Sequence, residues 1–194
     1  MPSTSLTQLA HSALRETLMA GDFAVDATAG NGHDTAFLAD AVGVSGRVIA
    51  LDIQQVALDA VRLRLEQLNL FQQVTLFLRG HEHLGEVLPA CWCGMVAAVM
   101  FNLGYLPCGD HALVTRPETT IPALESAVGW LRNGGMLSVL VYPRHLGGEV
   151  ESDAVQHWLN ASPSARALQW AFHGDPAGKK RHPWLALGKR ISLR

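Results

Sequence analysis

A chain of 194 residues with 48% hydrophobic content can bury a sizeable core as one α/β domain, which excludes a chain disordered throughout. Its formal net charge of −2 argues against nonspecific coating of nucleic acid. No apolar run approaches the roughly 18 residues of a membrane span, and the N-terminus shows no basic region followed by an apolar core, so neither a membrane nor a secretory signal is expected.

In chain order, residues 6–19 carry apolar side chains at Leu6, Leu9, Ala10, Ala13, Leu14 and Leu18. That is helical spacing, with Ser5 or Thr7 near its start and Gly21 after its end, and the helix is expected beside the first strand. Residues 23–28 read as a short buried strand, 29–32 as a tight turn, and 34–42 as a helix closed by Gly43. A second strand over 47–53 and a helix over 55–68 follow, with Val56, Ala60, Leu63 and Leu68 expected to face inward. Val74–Leu78 is the third strand, 81–88 a short helix or turn, and 95–101 an unbroken apolar run suited to a central parallel strand. Pro117 opens a helix expected to reach Arg132 and to be ended by Gly134-Gly135. Residues 135–142 then read as a strand, 148–159 as a helix, and 167–173 and 184–191 as the last two strands. Alternating strands and helices predict a doubly wound, mostly parallel seven-stranded sheet with helices on both faces. Ligands of such sheets sit at the carboxyl ends of the strands. The candidates therefore cluster at 26–32, Asp52, His81-Glu82, 102–107 and 142–145.

The run from Val25 to Thr35 joins a strand, a glycine-bearing turn and a helix start, which is a unit that handles nucleotides. A dinucleotide site wants Gly-x-Gly-x-x-Gly, but Gly30-x-Gly32 is followed by Thr35 in the third position. Asp26, four residues before Gly30, would repel a pyrophosphate and suits a cationic amino-acid tail such as that of S-adenosylmethionine. Asp52, 20 residues after Gly32, is placed to accept from ribose hydroxyls of either cofactor. The plainer alternative is an ordinary βα turn with capping acids.

Asn102 follows the apolar fourth strand directly. Its amide oxygen and the next backbone carbonyl can accept from an amine and aim its lone pair at an electrophile. Tyr105 can stack on a planar base or close the pocket. The segment resembles the Asn-Pro-Pro-Tyr type of amine N-methyltransferases, with Leu103-Gly104 in place of both prolines. Taken alone, Asn102 also reads as a structural cap of the turn. Cys91, Cys93 and Cys108 form no disulfide framework, and the Cys91-x-Cys93 spacing is not that of a zinc site, so reduced thiols and no metal are expected.

The run from Asp26 to Thr35, Asp52-Ile-Gln54, His81-Glu82, Phe101-Asn-Leu-Gly-Tyr-Leu-Pro107, Thr115-Arg-Pro-Glu-Thr-Thr120, and Tyr142-Pro-Arg-His145 with Gly147-Gly148 and Glu151 occur in that order. Together they resemble the family long labelled rRNA methylases, whose members are understood as tRNA wobble-uridine aminomethyl methyltransferases. The resemblance runs from about Phe23 to Glu151, more loosely to the end. It departs at Arg144, where Gly is usual, and at His182-Pro183, where a double proline is common. It implies a Rossmann-like class I methyltransferase fold with S-adenosylmethionine as cofactor. The reaction implied is methylation of the 5-aminomethyl group of the wobble uridine to 5-methylaminomethyl. The implied partner is the tRNA anticodon stem-loop; a homodimer is one option, since the sequence does not give the oligomeric state, and the reduced thiols are those expected of a cytoplasmic protein.

By the same resemblance, Asp26, Ala29, Gly30 and Gly32 would hold the methionine tail, with Asn31, Asp34 and Thr35 in the same cofactor site. Asp52 and Gln54 would hold the ribose, and His81 and Glu82 would lie near the adenine. Asn102 and Tyr105 would serve the acceptor amine, and His145 or bulk water would take its proton. Leu103, Gly104, Thr119, Thr120 and Tyr142 are acceptor-side candidates. A lone His after a strand is otherwise a surface residue.

Charge is unevenly spread: residues 1–110 hold 5 Lys/Arg against 11 Asp/Glu, and 111–194 hold 10 against 6. A cofactor half and a more basic acceptor half would give this, as would solvated surface charge. Lys179, Lys180 and Arg181, with Arg190 and Arg194 near in sequence, are candidates for phosphate contact or a solvated loop. Three rivals remain: a methyltransferase for another RNA or a small amine, a non-catalytic RNA protein that binds S-adenosylmethionine, and a dinucleotide-dependent oxidoreductase. Asp26 and Thr35 argue against the last.

Overall fold

The computed structural model describes residues 5–107, 112–176 and 182–192. Its strands are β1 (Phe23–Asp26), β2 (Arg47–Asp52), β3 (Val74–Leu78), β4 (Val96–Asn102), β5 (Leu131–Val141), β6 (Leu168–His173) and β7 (Trp184–Arg190). Its helices are α1 (Leu6–Arg15), α2 (His33–Val42), α3 (Gln55–Gln67), α4 (Leu84–Val87), α5 (Pro117–Trp130), α6 (Gly148–Ala161) and α7 (Pro163–Arg166). One sheet runs in the order β3-β2-β1-β4-β5-β7-β6. All pairs from β3 to β5 are parallel, and β7 is antiparallel to both β5 and β6. This is the doubly wound, mostly parallel seven-stranded sheet that the sequence predicts.

Two apolar layers cover the sheet, and the two-residue period of the strands feeds both. Val25, Val99, Phe101, Trp184 and Ala186 enter the layer under α5 and α6. Ala24, Ala98, Met100, Leu185 and Leu187 enter the layer under α1, α2 and α3. Burial on both faces explains why β4 reads as a continuous apolar run.

Ser5 caps α1 in a capping box: its hydroxyl accepts from the Gln8 N–H at 3.2 Å, and the Gln8 side chain accepts from the Ser5 N–H at 3.0 Å. The helix buries Ala10 and Leu14 as its spacing predicts, but packs on β5, β7 and α2 rather than beside β1. On α3 the buried stripe is Ala57, Leu58, Val61 and Leu65, whereas Val56, Leu63 and Leu68 are exposed. Two adjacent stripes of this helix are apolar at helical spacing, and periodicity alone does not choose between them. The close approach of Gly32 to Val61 does.

The end of α5 also differs from expectation. The helix stops at Trp130 and the chain enters β5 at once. Arg190 donates to the carbonyl of Leu131 at 2.8 Å and to that of Val128, so it satisfies the helix end and is not a free cation for RNA. Gly134 and Gly135 shape an irregularity inside β5, where Leu131 pairs with Val96 but Met136 pairs with Ala98. Gly134 sits at φ 75°, and a Cβ on Gly135 would lie 2.9 Å from the Val96 carbonyl oxygen. At the opposite end of the sheet from the cleft, Arg132 grips Asp22 bidentately at 2.7 and 2.9 Å. Cys91 and Cys93 are exposed free thiols, and Cys108 lies outside the described residues. Among the described residues no helix is long and apolar enough to cross a membrane.

Candidate active site

β1 and β4 are neighbours in the sheet, but the chain leaves them on opposite faces, toward α2 and toward α5. A crevice must open between such departures at the carboxyl ends of the strands. A cleft of about 750 Å³ lies there.

The glycine turn forms one wall. Gly30 and Gly32 have φ of 51° and 77°, a backbone region that costs other residues free energy. A Cβ on Gly32 would stand 3.0 Å from Cα of Val61, so glycine also lets α3 pack against the turn. Arg64 of α3 donates from Nε to the Asn31 carbonyl at 2.8 Å. At the end of β2, Asp52 accepts from the N–H of Gly30 and of Gln54, each at 2.9 Å, and still faces the cleft. Burial pushes its pKa up, and these N–H donors oppose that.

Three carboxylates share this wall, and they are not equivalent. Asp26 is 0% exposed and lies behind the cleft surface. It accepts from the Thr28 N–H at 3.2 Å and the Thr35 hydroxyl at 2.6 Å. Burial first, and the charge of Asp34 second, push its pKa up to about 7. Asp34 is the carboxylate that reaches the cleft beside the glycines. Its Oδ1 lies 2.6 Å from Nε2 of His11, and its Oδ2 lies 3.5 Å from Nδ2 of Asn102.

The opposite wall follows β4. The Asn102 N–H donates to the Thr28 hydroxyl at 2.7 Å, and the Leu103 N–H to the Leu140 carbonyl at 2.8 Å. Gly104 and Thr115 exchange two bonds: the Gly104 N–H donates to the Thr115 hydroxyl at 2.8 Å, and the Thr115 N–H to the Gly104 carbonyl at 2.9 Å. The Thr115 and Thr120 hydroxyls then donate to the two oxygens of Glu151, each at 2.6 Å. Glu151 is fully buried in the first turn of α6, so burial raises its pKa while the two hydroxyls lower it. This network moors the loop after β4 to α5 and α6. It continues through the Thr120 hydroxyl to Nε2 of His81 at 3.4 Å, and that nitrogen also lies 3.2 Å from the Thr119 hydroxyl. Burial lowers the His81 pKa to about 4, so its imidazole is neutral at neutral pH.

At the mouth, Tyr105 is 44% and Tyr142 37% exposed. Tyr105 meets His145 edge to face at 6.0 Å. Burial raises the Tyr142 pKa. His145 has Nδ1 3.0 Å from the Leu146 carbonyl oxygen, and its buried Nε2 has no hydrogen-bond partner among the described residues.

Most of the residues proposed from sequence converge on this cleft. Ala29, Gly30, Asn31, Asp34, Asp52, Gln54, His81 and Glu82 line it, as do Asn102, Leu103, Gly104, Tyr105, Thr119, Tyr142 and His145. Asp26, Gly32, Thr35 and Thr120 do not: they stand behind the wall and brace it. Lys179, Lys180, Arg181 and Arg194 lie outside the described residues. Sequence reasoning missed Thr28, Thr115 and Glu151 as braces, and Arg79, Arg116 and Pro183 as lining residues. It also missed His11, which a helical pattern presents only as a polar residue between apolar ones.

Three comparisons agree with this geometry. A family model described as "Putative rRNA methylase" matches residues 48–181. A "tRNA (mnm(5)s(2)U34)-methyltransferase, chloroplastic" of Arabidopsis thaliana is 36% identical over 165 residues, covering 81% of this chain and 60% of that protein. The chain thus spans less than two thirds of that relative. A crystal structure of a "putative rRNA-methylase" from Clostridium thermocellum superposes with a TM-score of 0.88 at 39% identity, covering 98% of this chain and 100% of the other. A Streptococcus mutans methyltransferase solved in complex with S-adenosylhomocysteine (SAH) gives 0.83 at 31% identity, covering 97% and 99%. With the sheet order, the cleft and these matches in hand, the chain belongs to the family described as putative rRNA methylases.

Proposed function

We propose that this chain transfers a methyl group from S-adenosylmethionine to the amine of 5-aminomethyluridine at the tRNA wobble position, giving 5-methylaminomethyluridine. The residues present fit the cofactor. Asp52 keeps acceptor capacity toward the cleft after taking two backbone N–H bonds, and Asp34 offers an anionic surface beside the open glycine turn. When bound, S-adenosylmethionine supplies a methyl group on an electron-poor sulfur. Asp34, with Asp26 behind it, favours the cationic amino-acid tail, and Asp52 the ribose. His81 and Glu82 border the remaining end, where a neutral imidazole suits a neutral base.

The observation that carries the reading is the position of Asn102. It lies at the junction of the two walls, with its main chain fixed to Thr28 and its amide nitrogen toward Asp34. The amide oxygen is left for an amine donor, and alignment of that kind can contribute about 7–11 kcal/mol to displacement. Tyr105 and Tyr142 at the mouth offer rings to a splayed base. The Nε2 of His145, with no hydrogen-bond partner among the described residues, lies near them. The name of the Arabidopsis relative supports the wobble-uridine acceptor. The test is incubation with S-adenosylmethionine and tRNA carrying 5-aminomethyluridine, followed by nucleoside mass spectrometry. Conversion to the methylaminomethyl nucleoside is expected. SAH binding without any conversion would overturn the acceptor assignment.

A further inference from the structure

One side chain reaches the site from α1, near the start of the chain. His11 places Nε2 2.6 Å from Oδ1 of Asp34, and Oδ2 of Asp34 lies 3.5 Å from Nδ2 of Asn102. The polarity of this row follows from chemistry. An ionised carboxylate only accepts, so the nitrogen end of the Asn102 amide must face it and the oxygen must point away. That leaves the oxygen for the N–H of an acceptor amine.

The row holds this sense only while the Asp34 carboxylate keeps Oδ2 toward Nδ2 of Asn102. Asp34 is 6% exposed, and its charge is felt by Asp26 behind it and by Tyr142 from the end of β5. A carboxylate swung out of this row would leave the Asn102 amide without its acceptor, and the amide would turn over. Two N–H donors would then meet the donors of the amine. His11 opposes this by offering a donor to Oδ1. Its ring is held flat on Phe37, with centroids 4.0 Å apart and planes 5° from parallel. Arg15, one helical turn on, covers the same Phe37 at 5.2 Å.

We propose that His11 is a positioning residue that acts through Asp34 to hold the Asn102 amide oxygen toward the acceptor nitrogen. This rests on the assignment of Asn102 to the acceptor amine given above. The experiment compares His11→Met, which covers Phe37 without a donor, with His11→Gln, which retains a side-chain N–H. His11→Ala replaces His11→Met if the latter melts early. Single-turnover methyl transfer at saturating cofactor and tRNA should fall by about 10- to 100-fold in His11→Met. SAH affinity should be retained, and His11→Gln should recover most of the rate. The side-chain amide resonances of Asn102 should move in His11→Met and stay near their wild-type positions in His11→Gln. This NMR measurement needs no acceptor. If the wild type transfers no methyl to this tRNA, the acceptor assignment fails while the resonances still decide the role of His11. A wild-type rate in His11→Met, equal loss in both variants, or unmoved Asn102 resonances would each overturn the proposal.

Discussion

Replacing Asp26 with Asn should abolish a proton release that accompanies cofactor binding. Burial and the neighbouring Asp34 raise the Asp26 pKa from 3.8 to about 7. For an acid raised in this direction, the stabilising contribution is complete below pH 3.8 and is lost as pH rises through about 7. The loss is on the order of 4 kcal/mol at about 1.4 kcal/mol per unit. Asp26→Asn has no such titration, so the stability of the wild type relative to the variant should fall by that order between roughly pH 4 and pH 8. Near pH 7 about half of the molecules carry the proton. A cationic tail arriving at Asp34 favours the ionised form of Asp26 behind it, so binding should expel up to about half a proton. Calorimetry of SAH binding in buffers of different ionisation heat measures this number directly. Release should be largest near pH 7, vanish by about pH 9, and be absent in Asp26→Asn. A buffer-independent binding heat for the wild type at pH 7 would refute the reasoning.

Three further expectations concern the rest of the site. Asn102→Ala should bind SAH normally and lower single-turnover transfer by about 100-fold; a wild-type rate would make Asn102 a structural cap. Asp52→Ala should weaken SAH binding by about 1.5–3 kcal/mol, the range for hydrogen bonds to charged groups, and an unchanged calorimetric Kd would remove it from the ribose. Gly32→Ala forces a side chain into φ 77° and to 3.0 Å from the Val61 backbone; denaturant unfolding should show a loss of about 1–3 kcal/mol, and unchanged stability would mean that the turn relaxes.

The sheet was largely legible because two faces of burial and regular turns leave a strong period in the residues. Every strand proposed from sequence is present, with ends moved by a few positions. The junction of α5 and β5 was misjudged because Gly134-Gly135 reads as a helix stop, while the actual stop is made by Arg190, a residue far along the chain. The orientation of α3 was misjudged because the deciding contact, Gly32 on Val61, joins two segments that no local pattern connects. The site shows the same division. Motifs located the wall, but spacing could not say which acid faces the cleft. Asp26 ends β1 and is roofed by Thr28 and Thr35, whereas Asp34 is the second residue of α2 and lines the cleft. The bracing role of Glu151, and His11 altogether, are not legible in the sequence because their meaning depends on partners 36 and 23 residues away.

The bond from Asn102 to the Thr28 hydroxyl makes the two walls keep a common ruler. β1 and β4 pair in parallel with Asp26 opposite Met100, and Thr28 and Asn102 extend that pairing past the last ladder bond. A slip of one residue between the strands would move Asn102 by about 3.3 Å, well beyond the roughly 1 Å error that displacement chemistry tolerates. On the proposed role of Asn102, spacing between the methyl donor and the acceptor amine is therefore written into the centre of the sheet. The loop beyond Asn102 hangs from that fixed point and is moored again at Thr115 and Glu151. Sequence change between the two moorings can retune what is recognised while the reaction distance stays where the strands put it.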